Sequence, residues 1–383
     1  MVLAFEENKA HVKFTPEEGL DASDFKIHVY AKDSSKNSSS LLVYTSKKHP
    51  LKAGLNKWSI IIDYVFYAKV AKKLVVAGKP LPNSIDFSFK IQINDEKSDV
   101  ANTISVHFVR YIPKLLNKLG FTNAEKLQRI WFTKGNNTNK DNVNPEIDVV
   151  SFNWAINESS QVKTEYNDFL NETGSKLNNN LFFSNPIRDA LKSEINKMIK
   201  DGLLTLPTKS NPSKSFGVTN ASIIDYRGER IPQFEKYYFN SKPFSGFGDL
   251  GLHYIFDGLD DFIAALANFN YHMFATGSLE YEENKWSSNV ITIKVKQLAV
   301  YIKDSFDFID DDSSKSQPLG YWKINNDKSI EVERKTSDKS NYFEVTNQSY
   351  RAYRDAHNMG YNFYVYSKIR TQATNYSVKL KDI

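Results

Sequence analysis

Two runs of strand-forming residues, Tyr271–Tyr281 and Val290–Phe308, are separated only by the short polar link Glu282–Ser288. A parallel pair needs a crossover of about a dozen residues or more, so this link makes the runs antiparallel neighbours in one sheet. No other feature constrains the C-terminal half as tightly. Within the second run, alternation puts Leu298, Val300, Ile302, Phe306 and Phe308 on one face, and Asp304 falls on that same apolar face. A carboxylate there either sits at the mouth of the core, is paired with Arg or backbone donors, or is desolvated with a raised pKa. The last state is the one that marks a working acid or base. Asp307 falls on the opposite face, so the two carboxylates act together only if a bulge or strand end intervenes.

A helix is expected before these strands over Asp257–Asn268, with Asp257 as cap and Leu259, Phe262, Ile263 and Leu266 as its apolar stripe. After them, Ile330–Val332, Phe343–Val345 and Tyr361–Ile369 read as strands, with a helix near Gln348–His357. The N-terminal hundred or so residues read as β as well. Phe25–Tyr30, Leu41–Thr45, Trp58–Phe66, Lys73–Val76 and Ile85–Ile93 are short β-branched or aromatic runs between turn clusters. Between these halves the period changes. Pro113–Phe132 reads as two helices broken near Gly120 with Thr122 as a cap, and Pro186–Leu204 carries Ile187, Leu191, Ile195, Met198 and Ile199 at helical spacing. The fold class is therefore α+β. A sandwich-like β domain for docking or packing is expected over 1–104, a helical subdomain over 105–207 and an antiparallel-sheet α+β domain over 208–383.

Composition removes several classes of function. Aromatic residues at 14% exclude a disordered or collagen-like chain. With no cysteine there is no disulfide, thiolate metal site or thiol nucleophile. Lys+Arg 50 against Asp+Glu 45 gives +5 on a mixed surface, which permits nucleic acid or an anionic membrane without demanding either. No apolar run approaches the ~18 residues of a membrane span, and MVLAFEENKAHVKF lacks the basic-then-apolar pattern of a secretory signal.

Few motifs carry chemistry. Gly246, Gly248 and Gly251 form a G-x-G-x-x-G, but the strand-like HYIF follows where a phosphate-binding helix should begin. Asp310, Asp311 and Asp312 offer oxygen ligands, yet the Ca²⁺-loop spacing fails, and a solvated loop is the ordinary reading. His253 and His272 flank the expected helix and can converge on Asp304 or Asp307. Basic and aromatic residues interleave over Tyr350–Arg370 (Arg351, Arg354, Lys368, Arg370), a composition compatible with nucleic acid.

The segments IPKLLNKLGFTNAEKLQRIWF (Ile112–Phe132), HYIF (His253–Phe256), VYIKDSFDF (Val300–Phe308), QPLGYW (Gln317–Trp322) and FYVYSKI (Phe363–Ile369) together resemble one bacterial family encoded beside type VI secretion spike genes. The resemblance implies a cargo or accessory of a contact-dependent injection machine. Its partners would be a secretion spike protein and a cognate immunity protein. The chain would be cytoplasmic in its producer and enter the target cell without a signal peptide. The run DSFDF is also similar to the Asp-x-Tyr-Asp-Phe run of colicin M-type bacteriocins, which cleave the lipid-linked peptidoglycan precursor. Asp304 and Asp307 match its aspartates and Phe308 its Phe; Phe306 replaces the Tyr, and the expected His-Arg does not follow closely. This second resemblance implies a hydrolase of a phosphate ester or anhydride with Asp304 and Asp307 at the site, and His253 or His357 brought in by folding. The cofactor stays open, with Mg²⁺ or Ca²⁺ as candidates. A nuclease effector and a non-catalytic spike adaptor are the alternatives.

Overall fold

A computed structural model describes residues 1–98, 102–178, 185–245, 259–266, 268–283, 288–310, 316–333 and 336–382. About 30% helix and 40% strand make it an α+β protein, as the sequence patterns required. Contacts divide the chain into two compact units built from non-consecutive segments, where the sequence reading expected three consecutive blocks. One unit comprises Met1–Gly120, Phe132–Asn136 and Phe308–Gly360; the other comprises Phe121–Trp131, Asn137–Asp307 and Tyr361–Ile383. Residues on both sides of 207 fall in one unit, where the helix Ser160–Asn178 packs on the strands Asn240–Ser245 and Arg370–Asp382. No helix among the described residues is long and apolar enough to cross a membrane.

In the first unit, Val2–Glu6, Lys9–Phe14 and Asn56–Ile61 form one sheet, and Asp24–Asp33 with Ser84–Ile93 centre a six-stranded one. Phe14 of the first meets Phe25 of the second edge-on at 5.0 Å, as in a sandwich. The strand expected at Trp58–Phe66 holds within Asn56–Ile61 and ends there, and the helix Tyr64–Leu74 replaces its last residues and the first half of the strand expected at Lys73–Val76. Asp63 Oδ1 accepts from Phe66 N at 2.9 Å and starts that helix, and Tyr64, Tyr67, Ala68 and Ala71 bury one stripe. Aromatic and β-branched residues gave a strand-like composition, but the spacing of the buried ones is helical. The later segment Phe308–Gly360 completes this unit's core. Phe343 stacks on Phe108 at 3.8 Å, and Leu81 N donates to Tyr342 O at 2.8 Å.

In the second unit, the strand Val290–Phe306 is the spine of a seven-stranded sheet. Asn268–Glu282 pairs antiparallel with it from Asn270 to Glu282, as the short link demanded. Its other edge is shared by Arg370–Asp382 and Phe363–Tyr366. Tyr271 lies opposite Ile302, and its hydroxyl donates to Val162 O at 2.9 Å, so the helices Phe152–Glu158 and Ser160–Asn178 cover the Ile302 face. The other face carries Ala299 and Tyr301, packed with Phe234, Phe274 and Tyr366 in a buried cluster. Each such aromatic contributes on the order of 2 kcal/mol by leaving water. Burial on both faces explains why the run LAVYI is apolar at every position rather than every second one.

The expected helix over Asp257–Asn268 is described at Asp261–Leu266, and Asp257 lies outside the described residues. Its Asp261 serves a second helix, Thr122–Thr133, by accepting from Asn123 N at 3.0 Å and Ala124 N at 2.8 Å. That carboxylate, placed at a helix N-terminus, does the capping expected of Thr122.

Candidate functional site

The end of the spine strand, Tyr301 to Asp307, concentrates the polar groups of the second unit. Alternation and cross-strand register sort them. Tyr301, Lys303 and Ser305 share one face, opposite His272, Tyr366 and Tyr364 respectively. Asp304 shares the other face with Ile302 and Phe306, opposite Val365.

On the first face lies Glu235, 4% exposed, in the short 3₁₀ turn Gln233–Tyr237. Its Oε1 accepts from Lys303 Nζ at 2.8 Å, and its Oε2 meets His272 Nδ1 at 3.0 Å and the Tyr301 hydroxyl. Burial pushes its carboxyl up, but the bonds and charges of His272 and Lys303 outweigh this and hold it below the ordinary range. The carboxylate is thus committed to three partners. The Tyr238 ring lies 4.3 Å from the His272 ring, and the Tyr366 hydroxyl is buried without a hydrogen-bond partner among the described residues.

Further along that face, Lys140 Nζ donates to Ser305 Oγ and to Asp307 Oδ2, and Ser305 Oγ donates to the same Asp307 oxygen at 2.5 Å. The Tyr364 ring lies 5.3 Å from Lys140 Nζ and 4.8 Å from Lys303 Nζ, within cation–π range of both. Its hydroxyl donates to Asp141 Oδ1 at 2.9 Å.

Asp304 stands apart. It is half-buried, and its Oδ1 accepts one hydrogen bond, 2.7 Å from Ser305 N. Among the described residues it has no ion pair. Desolvation pushes its carboxyl up to about 7, with the Asp307 charge adding to the rise and the Ser305 N–H and Lys140 opposing it. An acid that titrates near 7 can take and return a proton at neutral pH, whereas Asp307 is engaged in an ion pair with Lys140.

The two aspartates named from sequence therefore meet at one strand end but do not form a pair. The strand stops at Phe306, and Asp307 turns toward Ser305 Oγ on the opposite face. His253 and the glycines 246, 248 and 251 lie outside the described residues. His272 joins Glu235 rather than Asp304. His357 belongs to the first unit, where its Nε2 is 3.1 Å from Nδ1 of the buried His107. Asp310 is a structural anchor of that unit and not a solvated loop residue. Arg351 holds its Oδ2 at 2.5 Å, and Asn347 and Gln317 N donate to its Oδ1. Among the described residues no group of three or more His, Asp or Glu could hold a metal ion, so the candidate Mg²⁺ or Ca²⁺ finds no ready ligand set there. Sequence reasoning missed Glu235, Lys140 and Lys303. The continuous apolar run before Lys303 signals that its face is covered, but nothing around Glu235 or Lys140 announces their destination.

The chain matches neither a curated protein nor a solved structure. One family model matches residues 108–381, a span that includes every residue of the strand-end site and its surroundings. The chain belongs to the family of unknown function DUF6402.

Proposed function

We propose that this chain is a toxic effector of type VI secretion that acts on competitor cells, and that Asp304 is its general base in hydrolysing a phosphate ester or anhydride of a cell-envelope precursor. The observation that carries the reading is the Asp304 carboxyl, pushed up to about 7 by desolvation within the one run that is similar to colicin M-type bacteriocins. In this reaction Asp304 takes a proton from water as the water oxygen bonds to phosphorus. The P–O bond to the leaving group breaks, and the leaving oxygen recovers the proton. Lys140 and Ser305 lie at the same strand end but on the opposite face, where Asp307 already engages both, so the reading rests on Asp304. A spike protein and an immunity protein are the partners this reading requires.

The nuclease alternative loses support from Tyr350–Arg370. Arg351 is spent on Phe308 O and Asp310, and Arg370 lies on the Tyr166 ring. The adaptor alternative is favoured by one observation, the exposed apolar residues Leu41, Leu42 and Tyr44 on an edge strand of the first unit.

Viable counts decide among these, in a bacterial host expressing the chain in the cytoplasm or exported to the periplasm, each beside Asp304→Asn. Killing after export alone, abolished by the substitution, is the expected result. Killing from the cytoplasm alone, or killing untouched by Asp304→Asn, overturns the envelope reading. Absence of killing in both compartments returns the adaptor.

A further inference from the structure

The sheet face that bears Asp304 carries a second feature about 20 Å away along the same strand. It is a cleft of about 470 Å³ between the helix Ser160–Asn178 and the strand Arg370–Asp382, floored by Leu298. We infer that this cleft binds a short neutral saccharide, and the inference stands apart from the reading of Asp304.

The chemistry of the lining sets the ligand class. Asn167 and Asn171, four residues apart on one helix, share a face, and Gln372 and Asn375 stand across from them. Among the described residues no charged side chain lines the cleft. A phosphate, carboxylate or ammonium ligand would find no counter-charge, and a wholly apolar ligand would strand four amides. Each primary amide both donates and accepts, which matches a hydroxyl, the group that a sugar presents around its ring. The amides are also available. The side chains of Asn167, Asn171 and Asn375 make no hydrogen bond to another described residue, and Gln372 makes only a long one, 3.4 Å, to the adjacent Ala373 O. The half-buried Tyr376 ring offers the C–H face of a sugar something to rest on.

The backbone around the cleft is specialised rather than incidental. Val295 pairs with Tyr376 and Gln297 with Ala373, so Thr374 and Asn375 both oppose Lys296 alone. The strand Asn268–Glu282 skips the same residue, pairing Gly277 with Val295 and Thr276 with Gln297. A bulge of this kind re-aims the side chains beside it, here into the cleft. Across from it, the helix passes Tyr376 at Gly174, where a Cβ would lie 2.3 Å from the tyrosine hydroxyl. The volume falls within the range of roughly 300–1,000 Å³ typical of small-ligand sites.

The test titrates the full chain calorimetrically with maltotriose and with chitotriose, using a heparin-derived tetrasaccharide as the anionic control. The variants are Asn167→Ala with Asn171→Ala, and separately Gln372→Ala. The helix positions are exposed, and alanine favours the helix, so the double variant keeps its melting temperature. Saturable binding of at least one neutral trisaccharide is expected, weakened about tenfold or more in the double variant and less in the single one. The inference is overturned by no saturable binding of either trisaccharide, by binding indifferent to both variants, or by binding of the anionic fragment alone.

Discussion

Replacing Asp304 by Asn removes the titration of a half-buried carboxyl while keeping its shape and the acceptor that Ser305 N uses at 2.7 Å. In the folded chain this group holds its proton up to about pH 7, against 3.8 for an ordinary aspartate. Between those values the unfolded chain releases a proton that the folded chain retains, so stability falls as pH rises through the window. At 1.36 kcal/mol per pH unit the full penalty above pH 7 is about 4 kcal/mol. Residual solvent access takes the measurable part to about 2 kcal/mol. Asp304→Asn is therefore expected to stabilise the protein by about 2 kcal/mol at pH 8, by less at pH 6, and by almost nothing at pH 4. Urea unfolding of both proteins at the three pH values, followed by tryptophan fluorescence, reads the difference from the midpoints at a shared slope. A difference that does not change with pH, or a variant less stable than the parent at pH 8, would refute the claim that burial holds this carboxyl protonated. Killing lost in the same variant then means loss of a proton acceptor and not loss of fold.

Two further outcomes follow from the buried polar groups. Glu235→Ala leaves the Lys303 ammonium and the Tyr301 hydroxyl without their shared acceptor, and a loss of about 3–5 kcal/mol is expected in the same unfolding assay; a loss below about 1 kcal/mol would mean that water reaches this cluster. In the first unit, burial, and secondarily the neighbouring His357, pulls His107 down to about 4 from 6.5. The unfolded chain then takes up a proton that the folded chain refuses, so stability present above pH 6.5 is lost as pH falls toward 4, and His107→Gln should remove about 3 kcal/mol of that acid sensitivity. Unfolding midpoints between pH 7 and 4 with unchanged slope in the variant would contradict it.

The sequence by itself determined most of the local structure. The short Glu282–Ser288 link and the apolar runs beside it required an antiparallel pair, and alternation placed Asp304 on the apolar face of Val290–Phe306. The break at Gly120 was equally legible, because a residue at φ 81° ends a helix and glycine adopts it without strain. Local reading failed at Tyr64–Leu74, where strand-forming residue types fill a helix started by the Asp63 cap. Everything that depends on which distant segments meet was decided by tertiary structure alone. Phe308–Gly360 completes a core begun by the N-terminal strands, Glu235 arrives beneath His272 and Lys303, and Lys140 neutralises Asp307. The physical reason is one of range. Propensity, periodicity and capping act between neighbours in sequence, whereas a carboxylate's pKa and partners are set by the charge and water around it, and those are supplied by residues many positions away.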